Sequence, residues 1–325
     1  MTANTAVSAP SVKRSLFVRL FYPGPTQNRV VEGPARKGGR NVPAAVGVAV
    51  LLIGLVALSL IFNKVYFAVL VAVAICVALW ELAGAFARRA VGLPLLPLWV
   101  GTFGAVACAY VIGPEGLLAA VFATSGACMV WSFTTQAQYD YGTALEIAHP
   151  EDPRTYAHDV VRRSRTLEAA AAIFAVCYLP MLAGFAVMLL AQHQGVGKIV
   201  ALIALPALSD TGGWLAGITF GKHPMAPKIS PKKTWEGFAG SVIATTIGTG
   251  VVLWVLGGTL WATPLLALAV VISATLGDLG ESLIKRDLGL KDMSNLLPGH
   301  GGLLDRIDSI LTTAPVLYIA SVLAL

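Results

Sequence analysis

Charge is scarce in this chain. Only 12% of its 325 residues are Asp, Glu, Lys or Arg, against about 25% in a soluble globular chain. With 56% hydrophobic residues and a mean hydropathy of +0.75, that scarcity excludes an ordinary soluble domain. Cysteine is equally sparse. The four present, Cys76, Cys108, Cys128 and Cys177, all fall inside apolar runs, which excludes a disulfide framework or a zinc spacing. No cleavable secretory signal is visible, because the first apolar run is long enough to be a span. No histidine stands with a carboxylate in a pattern that reads as a general base; His149 and His158 read as solvated loop residues. No internal repeat stands out.

What is present is a series of long uncharged runs. A helix needs about 20 apolar residues to cross a bilayer, and backbone groups in lipid must be paired within the segment. The runs therefore predict an all-α, polytopic integral membrane protein of about nine spans, at 42–62, 66–86, 95–112, 116–133, 167–190, 197–218, 236–257, 259–277 and 303–325. Residues 1–41 read as a basic, disordered cytosolic tail and 42–325 as the membrane catalytic domain. Within the latter, 42–133 form an N-terminal bundle, 134–166 a cytosolic loop with some surface helix, and 167–325 a catalytic bundle.

The basic residues orient the chain. Of the 23, all but Lys64 and Lys198 fall in the tail or in the even-numbered connections. The positive-inside rule then places the N-terminus in the cytosol and the C-terminus outside. The net charge of +6 suits anionic lipid heads and implies no nucleic acid partner.

Five acids sit at or inside apolar runs near the cytosolic side: Asp210, Asp278, Glu281, Asp305 and Asp308. An ionisable group in a span is costly and points to function. Asp210 lies about two turns inside its run, roughly 12 Å of rise from the interface. Glu281 reads instead as a helix-end residue reaching the interface, as do Glu81, Glu168 and Glu236. Asp305 and Asp308 are three apart and share a helix face, and Asp278 ends the preceding run on the same side. Such carboxylates fit two arrangements equally well: around Mg²⁺, a hard cation held by carboxylates and substrate phosphates, or in a salt-bridge cluster with Lys285, Arg286 and Arg306. Gly301 and Gly302 lead the helix that carries Asp305, a natural phosphate site. His300, between glycines, reads as a loop-organising or phosphate-contacting residue.

The stretch SDTGGWLAGITFGKHPMAPKISPKKTWEG, residues 209–237, favours the cation. Lys222, Lys228, Lys232 and Lys233 look like a polyanion clamp, and Gly212, Gly213, Gly217 and Gly221 would let backbones approach closely. Carboxylates, lysines and a glycine-led helix suit phosphoryl or nucleotidyl transfer, which needs positioning and charge neutralisation. An ion-coupled transporter is the rival, resting on Asp210 and a glycine-broken sixth span.

Ser282-Leu-Ile-Lys285-Arg286, Lys291-Asp292-Met-Ser294 and Leu297-Pro298-Gly-His300-Gly301-Gly302-Leu-Leu-Asp305-Arg306-Ile-Asp308 together resemble the signature of the phosphatidate cytidylyltransferase, or CDP-diacylglycerol synthase, family, with no mismatch over these 27 residues. KISPKKTWEG resembles the family's second segment. The resemblance implies transfer of a cytidylyl group from CTP to phosphatidate, in phospholipid biosynthesis, with release of pyrophosphate. It implies Mg²⁺ with a potassium ion beside it, a homodimer of nine-span chains, and metal carboxylates at Asp278 and Asp305. Another CTP-dependent lipid nucleotidyl or phosphoryl transferase is the nearer alternative. Catalytic roles then fall to Asp278, Asp305, Lys285, Arg286 and Asp308. Substrate contacts fall to Lys228, Ser230, Lys232, Lys233, Thr234, Asp210, Ser282, Lys291, Asp292, His300, Gly301, Gly302 and Arg306. The expected location is a bacterial inner membrane, with the site on the cytosolic face. This chain departs from many relatives in its long basic tail and in Gly213-Trp214, where Ala-Tyr is common.

The orientation is checked by cysteine labelling. Cysteines placed in the tail and at Ser230 are expected to react only from the cytosolic side, and one after Leu325 only from outside. Labelling of both ends from one side would show that a span has been miscounted.

Overall fold

The computed structural model describes Leu20, Pro23 and residues 42–89, 91–134, 153–227, 229–297 and 301–323. The expected tail, most of the 134–166 loop, Lys228 and His300 lie outside the described residues. Ten α-helices follow in order: α1 Val42–Phe62, α2 Lys64–Phe86, α3 Leu95–Val111, α4 Pro114–Thr134, α5 Pro153–Tyr178, α6 Pro180–Ala191, α7 Gly195–Phe220, α8 Trp235–Leu256, α9 Thr263–Asp287 and α10 Leu304–Leu323. A short 3₁₀ turn, Ala87–Arg89, extends α2.

Local chemistry sets several boundaries. The Asn63 side chain accepts from the Val65 amide at 2.9 Å and starts α2. Gly113 turns α3 into α4 at φ 90°, and Gly257 ends α8 at φ 73°. Pro180 opens α6 directly after Leu179, so the expected span 167–190 is two helices with a break. Seven described helical segments are long and apolar enough to cross a membrane, while Val46–Phe62 and Leu95–Val111 are apolar but shorter.

The helix expected within the 134–166 segment begins at Pro153, with α5. One expectation needs correction. The run read as ending near 277 continues as helix to Asp287, so Asp278 is an interior residue of α9 rather than its end. The architecture is all-α as expected, with one addition: β1 Pro224–Ala226 and β2 Ser230–Thr234 form a small antiparallel hairpin between α7 and α8. Its Pro- and Lys-rich sequence shows no alternating pattern that could announce it.

Two apolar clusters make the core. One joins α2 to α6 with the first turns of α10; the other joins α6, α7 and α9 with its later turns, so the last helix belongs to both. Outward faces carry large apolar residues such as Ile243, Ile247 and Trp254.

The tightest seam joins α7 to α8. A Cβ built on Gly240 would stand 2.3 Å from Ala216 Cβ and 2.7 Å from the Gly212 carbonyl oxygen. One on Gly212 would stand 2.5 Å from Ala244 Cβ. Small residues let membrane helices approach closely, where dispersion and backbone contact replace the hydrophobic drive. Gly212 therefore serves helix packing, while Gly213 and Gly237 stand at the seam and also line the cavity described below.

Gly240→Ala should lower the detergent-solubilised protein's thermal stability by about 1–3 kcal/mol through overpacking. Gly104→Ala, where no atom lies within 4 Å of the new methyl, should leave it unchanged or raise it slightly. Equal effects would show that the seam is not set by residue size.

Candidate active site

The hairpin, α7, α8 and α9 meet at one end of the bundle around a cavity of about 300 Å³. Thr234 ends β2 and caps α8, its Oγ1 accepting from the Gly237 amide at 3.1 Å. Glu236 then closes the hairpin's entry: its Oε2 accepts from the Lys222 and His223 amides at 3.1 and 3.2 Å, and its Oε1 lies 2.5 Å from His223 Nδ1. These contacts hold β2 against α8 and turn Lys232 and Lys233 toward the cavity they line. Lys233 Nζ pairs with Asp278 Oδ2 at 2.6 Å, and Asp278 is about one-third exposed. Asp210, Ser209, Ser241 and Thr275 complete the polar lining. Asp210, expected to be buried, is instead open to the cavity. Ser241 Oγ donates to the Ser209 carbonyl at 2.6 Å and ties α8 to α7.

A second charged group lies deeper, between α9 and α10. Lys285 Nζ stands 2.7 Å from Asp305 Oδ1 and 3.1 Å from Glu281 Oε1. Glu281 is 1% exposed, so it does not reach the interface as its position suggested, and no well-directed hydrogen bond meets either of its oxygens. Asp308, also buried, lies within electrostatic reach of Glu281 and of Asp278. The Tyr178 hydroxyl, buried and without a hydrogen-bond partner, faces the same carboxylates. A lone buried charge costs several kcal/mol, and Lys285 is the cation that meets the carboxyl groups here.

The 288–303 loop is folded around carboxylates. Asp305 Oδ2 accepts from the Met293 amide at 3.0 Å and the Gly302 amide at 2.8 Å. Glu81, from α2, accepts from Ser294 Oγ at 2.5 Å, the Leu303 amide at 2.9 Å and the Leu304 amide at 2.8 Å. The start of α10, expected as an open phosphate site behind Gly301 and Gly302, is thus filled by the protein's own carboxylates. Gly301 adopts φ 85°, where only glycine is unstrained. Sequence reasoning missed Glu81, because its partners lie more than 200 residues away.

Of the expected site residues, Asp210, Asp278, Lys232, Lys233 and Thr234 share the cavity lining. Lys285, Asp305 and Asp308 form the deeper group with Glu281. Arg286 is exposed and directs Nε to the Ile229 carbonyl of the hairpin at 3.4 Å. Ser230 begins β2. Lys291 and Arg306 are exposed, and Asp292 packs beside Gly301, away from the cavity lining. Ser282 is half-buried on α9.

Mg²⁺ suits the cavity by donor chemistry. Asp210 and Asp278 offer hard oxygens, and Mg²⁺ is commonly held by one or two carboxylates with phosphates and water completing the shell. Among the described residues no group of three or more His, Cys, Asp or Glu gathers to hold an ion. The fit therefore depends on a phosphate-bearing ligand. Asp278 opens onto this space; Asp305 is engaged by Lys285 and two amides.

The arrangement defines a polytopic helical protein with a cavity of both charge signs at one end of the bundle. The chain belongs to the cytidylyltransferase family, whose model matches residues 43–324. It is 37% identical over 283 residues to a phosphatidate cytidylyltransferase of Mycobacterium leprae, covering 87% of this chain and 88% of that protein. It is 38% identical over 285 residues to one of Mycobacterium bovis, covering 87% and 89%. A shorter match, 38% over 129 residues, joins it to one of Haemophilus influenzae, covering 38% of this chain and 45% of that protein.

The two carboxylates should separate in their effects. Asp305→Asn leaves Lys285 with one partner in a buried site and should cost about 3 kcal/mol of stability. Asp278→Asn, at the cavity wall, should leave thermal stability nearly unchanged while losing about 10²-fold in turnover. Asp287→Asn, exposed at the end of α9, should change neither. Loss of stability in Asp278→Asn but not in Asp305→Asn would reverse these assignments.

Proposed function

We propose that the chain transfers the cytidylyl group of CTP to phosphatidate, giving CDP-diacylglycerol and pyrophosphate. The observation that carries this reading is the cavity in which Lys232 and Lys233 stand beside Asp210 and Asp278 at one end of an apolar bundle. Family membership and the names of the relatives support it. A phosphate oxygen of phosphatidate forms a bond to the α-phosphorus of CTP. The bond from that phosphorus to the bridging oxygen of the β-phosphate breaks, and pyrophosphate leaves with the electron pair. The lipid phosphate is already anionic, so no proton has to be removed, which accords with a site that rests on lysines and carboxylates.

Lys232 and Lys233 would neutralise the triphosphate as point charges. With CTP bound, Lys233 would exchange Asp278 for phosphate, freeing that carboxylate. A Mg²⁺ ion held there would supply positive charge to offset what develops on the phosphates. Asp278, with Asp210 in the same lining, would hold the ion; Asp305, expected as its second carboxylate, would have to exchange its Lys285 partner to take part. Nine spans, a cytosolic tail, an active site on the cytosolic face of a bacterial inner membrane and a homodimer complete the reading. The basic residues support the orientation: Lys232 and Lys233 line the cavity, and Arg286 reaches the hairpin beside it.

Purified protein given CTP, phosphatidate and Mg²⁺ in detergent should form CDP-diacylglycerol and release pyrophosphate only when phosphatidate is present. Excess chelator should abolish this. Pyrophosphate release without the lipid, or a product one phosphate heavier than the lipid, would overturn the reading. Lys233→Gln should lower kcat/KM for CTP by roughly 10-fold, about 1.4 kcal/mol, while Lys37→Gln, in the tail, should leave it unchanged. Equal, small effects would reduce the hairpin lysines to topology signals.

A further inference from the structure

We infer that Glu81, Arg88 and Arg89 are positioning residues for the reaction: from α2 and the turn after it they hold both ends of the 288–303 loop. This rests on the proposed function, in which Lys285 and Asp305, beside that loop, back the α9 wall of the reaction cavity. The loop leaves the C-terminus of α9 and enters the N-terminus of α10. At its first end, Arg88 Nε donates to the Leu288 carbonyl at 3.0 Å, and Arg89 Nη2 donates to the Asp287 carbonyl. At its other end, Glu81 accepts from the Leu303 and Leu304 amides at 2.9 and 2.8 Å. The signs match the helix ends: cations at the carbonyls that close α9, an anion at the amides that open α10. Seven residues of helix separate the two contacts, a rise of about 10 Å, so one element spans the gap.

The contacts bracket Asp305. Its Oδ2 takes the amides of Met293 and Gly302, and Glu81 takes the next residue on each side, through Ser294 Oγ and the Leu303 amide. Moving either would move Asp305 and, through it, Lys285. Gly302 belongs to this junction, since a Cβ there would lie 3.0 Å from both Glu81 oxygens and 2.9 Å from Asp305 Oδ2. Glu81 is 1% exposed in an otherwise apolar helix. Anchoring α2 in a membrane gives no reason for a carboxylate there, and its partners are all in or beside the loop. It lies outside the cavity lining, so it acts through the loop and not on the substrate.

The test is Glu81→Gln in the full chain. The amide keeps the size but offers one acceptor oxygen where the carboxylate uses two. Hydrogen–deuterium exchange of the 293–304 amides should quicken about 10-fold or more, with the other helices unchanged. Turnover should fall about 10-fold or more with the KM for CTP within about twofold, because the hairpin lysines are held by other elements. Glu81→Asp, which keeps the charge, should recover part of both losses. Arg89→Gln should quicken exchange only near 287–290 and lower turnover about threefold. If Glu81→Gln does not fold, Glu81→Asp and Arg89→Gln decide the matter by the same two readouts. Wild-type turnover in the variants, lost turnover with unchanged loop exchange, or a matching rise in KM for CTP would overturn the inference. Absence of cytidylyl transfer by the wild-type protein would instead overturn the reaction, and the exchange measurement would still decide whether the clamp exists.

Discussion

A charge placed among membrane helices must be answered by another group of the same chain, since lipid offers none. Most of what is distinctive here follows from that constraint. Lys285 lies against Glu281 and Asp305, Lys233 against Asp278, and Glu81 against three donors of the signature loop. The same rule holds at the other end of the bundle. Lys64 and Lys198 both converge on Gln192, one on its carbonyl at 3.2 Å and one on its side-chain oxygen at 2.7 Å, where Ser321 joins at 2.8 Å. The two basic residues that fell outside the basic connections are thus each tied down by a neutral partner.

The charged groups divide into two kinds. Those around the cavity are partly exposed, and the Lys233–Asp278 pair is one a polyanion can compete for. Behind it, Lys285, Asp305 and Glu81 are buried or half-buried and each takes two or more partners, so they hold shape. The close α7–α8 seam and the Thr234 and Glu236 contacts carry the first group on a rigid support; the clamp from α2 carries the second. Function of this kind needs both, because a loosely held carboxylate gains nothing from a well-placed lysine.

The sequence made the helices legible, because long uncharged runs have one stable form in lipid. It also made the charged motifs legible, through their resemblance to a family signature. It was silent where the deciding partner lies far along the chain. Glu81 looks like any helix-end acid until residues 294, 303 and 304 are brought to it. The extension of α9 was hidden because six of its last ten residues are polar, although Glu281 and Lys285, four apart, share one helical face. The hairpin was hidden by prolines and lysines that suppress any alternation. The glycines of α7 were visible, but nothing local tells packing against a neighbouring helix from room for a ligand.

The junction at Glu81 also bears on how the protein is made. Its carboxylate enters the membrane with the second helix, while the amides that satisfy it belong to a segment 222 and 223 residues later. Until the last helix is in place, an acid sits among apolar residues with nothing to bind. A chain that stops short of the last helix therefore leaves a polar group unsatisfied in its second helix, and the loop takes its final form together with the answer to that group. Assembly of the site is in this way tied to completion of the chain.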